Sequence, residues 1–170
     1  MLKRTLGVMK LPLIFRRDSP EDQRIETLKA LSLFKRLTVR ELRELDELLH
    51  ARSYQKDEII FDEGDVGLGL FIVVSGRVRI ESSHAALKRL APECGPGDFF
   101  GEMALFEETQ RTARAIALEP TQLQALFRSE FFSLLERDRG IGVKILFELS
   151  RTVVLRSRKL LTNQPHSPTV

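Results

Sequence analysis

A single cysteine, Cys94, stands in 170 residues, and tryptophan is absent. One thiol closes no intramolecular disulfide, so a disulfide-stapled fold is excluded, and no CxxC pair is available for a zinc site. The three histidines, His50, His84 and His166, lie in unrelated contexts. Nowhere do about 18 apolar residues run together, the length a membrane-crossing helix needs, so no transmembrane segment is expected. The opening MLKRTLGVMKLPLIFRRD is basic, but Lys10 and Pro12 cut its apolar stretch and no small-residue cleavage site follows, which argues against a secretory signal. These absences together point to a reducing cytoplasm. Also missing are an HExxH helix, a GKS or GKT phosphate loop and any Ser/His/Asp grouping, so an enzyme is not expected. The adjacent acids Asp62–Glu63 and Glu107–Glu108 fall among turn residues and read as solvated loops rather than acid–base machinery.

What the chain does hold is 42% hydrophobic residues, enough for one core in a single domain of ordinary size. The net charge of +3 hides an uneven layout. Lys3, Arg4, Lys10, Arg16 and Arg17 stand in the first 17 residues without an acid, and residues 139–170 carry six basic residues against Glu148 alone. The ends together carry +10 and leave −7 for residues 18–138, an acidic body between basic ends. Such ends act as solubilising charge or meet an anionic or acidic partner.

Ile25, Leu28, Leu31 and Phe34 recur every three residues, which predicts an amphipathic helix from Pro20. In TVRELRELDELLH the Thr38-to-Glu41 spacing is a capping box, and Val39, Leu42, Leu45, Leu48 and Leu49 form one apolar stripe. From about Ala51 the period shortens. EIIF (58–61), LFIVV (70–74), RVRIES (77–82), LKRLA (87–91), ARAIAL (113–118) and QLQALF (122–127) are β-rich pieces divided by the turn-formers DEGD, SG, ECGPGD and EP. Short strands at near-regular spacing predict an antiparallel sandwich or barrel over 51–127, with helices over 20–50 before it and 129–162 after it. Within RVRIES, Val78 and Ile80 face one way and Arg77, Arg79 and Glu81 the other.

Ser129 reads as the N-cap of EFFSLLERD, and Gly140 and Gly142 as an interruption before a longer helix. In that helix Leu146, Leu149, Val153 and Leu160 form a stripe, with Arg156 in the remaining slot. The stripe either covers the β body or forms a dimer seam, and a homodimer through this helix is expected. The domain thus runs over 20–162, between a basic extension (1–19) and a polar, proline-bearing tail (163–170) expected to be disordered.

Two stretches carry the chemistry. IIFDEGDVGLGLFIVVSG, residues 59–76, reads as a hairpin, with Gly64–Asp65 turning the chain, Gly67 and Gly69 keeping it permissive and Gly76 turning it again. GDFFGEMALFEETQRTARAIA, residues 97–117, sets Glu102 nine positions before Arg111, the wrong spacing for a helix-surface pair. Gly101-Glu102-Met103-Ala104-Leu105 is too short for an ordinary helix, and a single turn would offer unpaired N–H groups to an anion or sugar oxygens. Ala113, Ala115 and Ala117 then alternate on one strand face and leave room for something compact.

These two segments, in this order and with flanking helices, resemble the cyclic nucleotide-binding domain family, over roughly Leu33 to Leu161. The resemblance implies a mainly β fold with flanking helices: a double-stranded β-helix, or jelly-roll-like β-roll, holding a phosphate-binding cassette. It implies that Glu102 takes the ribose 2′-hydroxyl and Arg111 the ring phosphate. Gly101, Ala104 and Thr112 would add backbone contacts, with Met103 and Ala113 completing the set. The chemistry agrees, since a guanidinium fork meets two phosphate oxygens and a carboxylate only accepts. Arg114 departs from the pattern as a large charge in the strand, turned away from the alanine face by alternation. The ligand is cAMP or cGMP, with cAMP taken first, although Thr112 resembles the threonine of cGMP-dependent kinases; no further cofactor is implied. The residue of the last helix that covers the base is not identifiable from sequence.

The expected function is a sensor that signals through its terminal helices to an unidentified effector. The alternative is a nucleotide-blind dimerisation or docking scaffold. A DNA-binding regulator is disfavoured, because the chain stops nine residues after Leu161 and leaves no room for a recognition helix.

Overall fold

The computed structural model describes residues 19–84 and 92–162, with side chains as far as Arg158. The basic extension to residue 18, the LKRLA piece and the tail from 163 lie outside the described residues.

Helix α1 (Pro20–Ala30) opens on a capping box, with Asp22 N–H donating to Ser19 Oγ and the Asp22 carboxylate accepting from the Ser19 N–H. It buries Ile25 and Leu28, and a 3₁₀ turn over Ser32–Phe34 buries Leu33 and Phe34. Helix α2 (Val39–Asp46) starts from the expected Thr38–Glu41 box. Leu42, Leu45 and Leu49 are buried as the stripe predicts, while Val39, at the first helical position, is 41% exposed.

Among the described residues eight short strands follow: β1 (His50–Tyr54), β2 (Ile59–Phe61), β3 (Gly69–Ser75), β4 (Val78–Glu81), β5 (Glu93–Cys94), β6 (Phe99–Phe100), β7 (Arg114–Ala117) and β8 (Thr121–Phe127). They form two antiparallel four-stranded sheets, ordered β1-β8-β3-β6 and β2-β7-β4-β5. β1, β5 and β6 are not among the expected pieces. HARSY is polar and exposed through its middle, and two-residue strands carry no readable period. The sheets face one another over Val73, Phe100 and Leu123 from the first and Val78, Cys94 and Ala115 from the second. Alternation along β3 turns Leu70 and Ile72 to the opposite side, where with Leu126 they meet the helices. Gly69 is required here for close approach rather than conformational freedom, since a Cβ would drive into the Leu126 carbonyl of β8.

The chain passes directly from β8 into a helix, and the Arg128 N–H donates to the Leu68 carbonyl. Within the cassette segment a one-turn helix, α3, spans Met103–Phe106; α4 covers Arg128–Arg137 and α5 Arg139–Thr162. The expectation of a Ser129 cap is corrected: the N-cap position is Phe127, without a side-chain bond, and Ser129 Oγ donates to Glu130. Nor do Gly140 and Gly142 interrupt anything. Both lie in the first turn of α5, where Asp138 Oδ1 accepts from the Gly140 and Ile141 N–H groups and caps the helix.

The predicted stripe of α5 divides. Leu149 is buried with Ile141 and Ile145 against the body, Leu146 is half-buried, Val153 lies at the edge, and the Leu160 side chain falls outside the described residues. The outward face is instead Val143, Phe147 and Val154. Ionic ties fasten α5 to the N-terminal helices: Lys144 Nζ donates to Glu41 at 2.6 and 2.8 Å, and buried Glu148 accepts from Arg36 and Lys35. Burial alone would raise the Glu148 carboxyl, but the hydrogen bonds from Lys35 and Arg36 outweigh it and hold it below the usual carboxylate value.

Candidate functional site

β6 delivers the chain to Gly101, whose φ of +74° lies in the left-handed region, and α3 begins two residues later. Ala104 and Leu105 anchor this turn in the body. Among the described residues nothing accepts the N–H groups of Glu102 and Met103, so two donors stand free at the start of the turn. Glycine at 101 is required twice over. A Cβ there would sit 2.5 Å from Arg111 Nη1, on a backbone that L side chains rarely adopt.

Arg111 is 9% exposed, yet no carboxylate bonds to it. Nη1 donates to the Gly101 carbonyl at 2.9 Å and Nη2 to the Gly69 carbonyl at 2.8 Å. The guanidinium lies 4.2 Å above the Phe61 ring, and its buried Nε has no partner. Burial pulls its pKa down, opposed by the charges of Asp65 and Glu102, although a guanidinium stays protonated throughout. Its main chain stitches the two sequence motifs together: Arg111 N–H donates to Asp65 O, and Gly64 N–H to Arg111 O. Arg114, the departure noted above, points elsewhere and makes a two-pronged bond to Asp62 at 2.7 and 2.8 Å.

Glu102 does not pair with Arg111. Its Oε1 lies 3.4 Å from Arg156 Nη1, and Arg156 Nη2 donates to the Phe99 carbonyl at 2.6 Å with the guanidinium 4.7 Å above the Phe99 ring. Arg156 is the site residue that sequence reasoning missed. The one signal for it was a cation standing in an otherwise apolar stripe.

Around these groups opens a hollow of about 800 Å³. All seven residues singled out above, Gly101, Glu102, Met103, Ala104, Arg111, Thr112 and Ala113, stand on its wall. The Gly101 and Thr112 carbonyls already accept bonds, from Arg111 and Ser82, while the Thr112 hydroxyl has only a 4.0 Å approach to Met103 Sδ. Ile80, Cys94 and Phe61 make an apolar side of the wall, and burial pushes the Cys94 thiol up to about 11. Val153, Arg156 and Ser157 of α5 close the remaining side. An enclosure of this size, apolar with a few convergent polar groups, is the usual form of a small-ligand site.

The family model described as cyclic nucleotide-binding domain matches residues 51–138, more than half of the chain. Over 111 residues the chain is 38% identical to the cyclic AMP receptor protein of Thermus thermophilus, covering 65% of this chain and 51% of that protein. It therefore spans about half the length of that relative. Among solved structures, the Thermus thermophilus catabolite activator protein superposes with a TM-score of 0.63 at 33% identity, over 75% of this chain and 59% of that one. A cyclic nucleotide-binding domain from Methylobacillus flagellatus gives a TM-score of 0.75 over 87% of this chain and 88% of that one; at 21% identity it speaks for the fold alone. No helix among the described residues is long and apolar enough to cross a membrane. Two facing antiparallel sheets flanked by helices, the matched segment and the motif order agree, and the chain belongs to the cyclic nucleotide-binding domain family.

Proposed function

We propose that this domain is a cytoplasmic sensor that takes one cyclic mononucleotide into the hollow and reports its presence through the terminal helices. The observation that carries the reading is Arg111. A buried cation without an acidic partner, and with its Nε–H left without an acceptor, is suited to an anion, and it stands on the wall of a cavity of ligand size. A cyclic phosphate supplies one negative charge and two oxygens for the guanidinium fork. Glu102, held apart from Arg111, can accept from a ribose hydroxyl, and the free N–H groups of the turn can meet further oxygens. No second cofactor enters this reading. Cyclic AMP is placed ahead of cyclic GMP because the 38% identical relative is a cyclic AMP receptor; the Thr112 hydroxyl, held only by a long contact to Met103 Sδ, is what would favour guanine.

The proposal includes a homodimer through α5, by a different face from the one the sequence suggests. Val143, Phe147, Ser150 and Val154 are all exposed and separated by steps of four, three and four, the seam spacing of a two-stranded coil. The effector remains a partner for these helices.

Calorimetry tests the reading. Arg111→Ala should cost about 2–5 kcal/mol of cAMP binding, the usual penalty for truncating one partner of a buried charge pair. Equal affinity in wild type and variant counts against it. A melting temperature unmoved by a panel of cyclic nucleotides would favour the nucleotide-blind scaffold.

A further inference from the structure

The most exposed large apolar side chains among the described residues are Val66 and Leu68, at 75% and 62%, and neither lies on α5. Both stand on the loop between β2 and β3. Gly67 between them presses on α3, where a Cβ would sit 2.7 Å from that of Ala104; its N–H donates to the Thr109 carbonyl, and Val66 pairs with Gln110 across an isolated bridge. Met103 and Phe106, at the two ends of α3, are exposed as well. Loop and turn thus present one apolar ledge. Exposed carboxylates border it: Glu63 and Asp65 on the loop, Glu107 and Glu108 directly after α3. Arg128 comes no closer to Glu108 than 3.9 Å, and Arg114 is taken by Asp62. An exposed apolar ledge with a polar border marks an interaction surface, and the sign of this border calls for a cationic occupant.

We propose that this ledge is the seat of residues 1–18 of the same chain. That segment sets Lys3, Arg4, Lys10, Arg16 and Arg17 against Asp18 alone, and between its cations it carries Leu6, Val8 and Met9 and the run LPLIF at 11–15. Its charge and its apolar content both complement the ledge. The other segments outside the described residues fit less well: the tail from 163 holds no lysine or arginine, and 85–91 holds only Lys88 and Arg89. Reach is ample, since 18 extended residues span up to about 60 Å and a domain of this size is about 40 Å across. Tethering supplies the rest. A segment joined to its seat meets it at an effective concentration on the order of millimolar, so a contact too weak to hold a free partner is enough. Anionic lipid would suit the segment by itself, but the acidic border of the ledge would face such a surface with like charge.

Limited trypsin digestion and amide exchange test this on the full chain. In wild type the seated segment should resist cleavage after Lys10, Arg16 and Arg17. In a Val66→Ser, Leu68→Ser double variant cleavage there should quicken roughly fivefold or more, the factor by which a tethered contact about four-fifths occupied shields its sites. Both substituted side chains face solvent, so the melting temperature should hold. Conversely, a Lys10→Glu, Arg16→Glu, Arg17→Glu variant should exchange amides faster than wild type over 63–68 and 103–110. This second variant alters only residues before α1, and it decides the matter even if the first does not fold. Equal cleavage in wild type and a folded double variant, or equal exchange in the second comparison, overturns the proposal. So does protection that fades on dilution, which would make a second copy the occupant, and protection that arises only with vesicles of anionic phospholipid, which would make it a membrane. None of these readouts needs a nucleotide, so their failure is distinct from a failure of the sensor reading.

Discussion

Replacing Gly101 with alanine probes the site without removing a charge. The residue sits at φ +74°, and its added Cβ would meet Arg111 Nη1 at 2.5 Å and Cζ at 3.3 Å. Left-handed backbone costs an L residue about 1–2 kcal/mol. Arg111 must then leave its place beneath the Gly101 carbonyl, and giving up a hydrogen bond to a charged donor adds about 1.5–3 kcal/mol in the worst case. A total of roughly 2.5–5 kcal/mol corresponds to a fall in melting temperature of about 5–20 °C for a chain of this size. Gly95→Ala is the internal control, because a Cβ there meets nothing within 4 Å and its φ lies outside the left-handed region. Differential scanning fluorimetry of both variants, with and without cAMP, reads the two effects together. Gly101→Ala should melt early and lose most of its ligand-induced shift, while Gly95→Ala tracks wild type. A Gly101→Ala protein that melts within a degree or so of wild type and still responds to cAMP would refute the claim that this glycine seats the arginine.

Ala113→Leu should leave the fold near its original stability, since the added carbons enter the hollow, yet abolish the thermal shift with cAMP; a cost of about 1–3 kcal/mol with the shift retained would mean the residue packs into the body instead. The Glu148 carboxyl is held below its ordinary 4.5, so its clamp contributes fully above that value and is lost as pH falls below it. Melting curves taken from neutral to acidic pH should therefore fall less steeply for Glu148→Gln, and parallel acid limbs would argue that other carboxylates dominate. Leu149→Ala should cost about 2–5 kcal/mol by opening a core cavity. Phe147→Ser on the outward face should cost no more than about 1 kcal/mol, the stacking of Arg36 on its ring, while abolishing self-association in sedimentation. Undiminished self-association would remove the outward face from the dimer.

The sheets and the cassette are legible in sequence because their signals are local. Val78 and Ile80 alternate, Thr38 and Glu41 cap, and Gly101, Glu102 and Arg111 stand at fixed spacing within one short segment. Arg156 is not legible in the same way, because its meaning depends on which face of a 24-residue helix meets the roll. Among the described residues of the predicted stripe only Leu149 is fully buried, and the shift arises because Ile141, Ile145 and Glu148 also claim the inner face. The glycines of α5 mislead for another reason. Breaker rules weigh Gly140 and Gly142 against a helix, while the side chain that starts it, Asp138, lies just before them and reads in sequence as one more polar residue. What Glu102 bonds to is equally beyond reach, since its partner lies 54 positions away.

The ionic and apolar packing between the helices also bears on where this protein can be cut. The segment matching the family, 51–138, contains every wall residue of the cassette up to Ala113 but none of Leu28, Phe34, Leu42 and Leu45 before it, nor Ile141, Ile145 and Leu149 after it. Those residues roof the outer side of the first sheet, so a fragment excised at the family boundaries would expose Leu70, Ile72 and Leu126 to water. Such a piece would carry the cassette's residues on an unfinished surface prone to clumping, and expression trials that trim to the recognised segment would discard the part that keeps it dissolved.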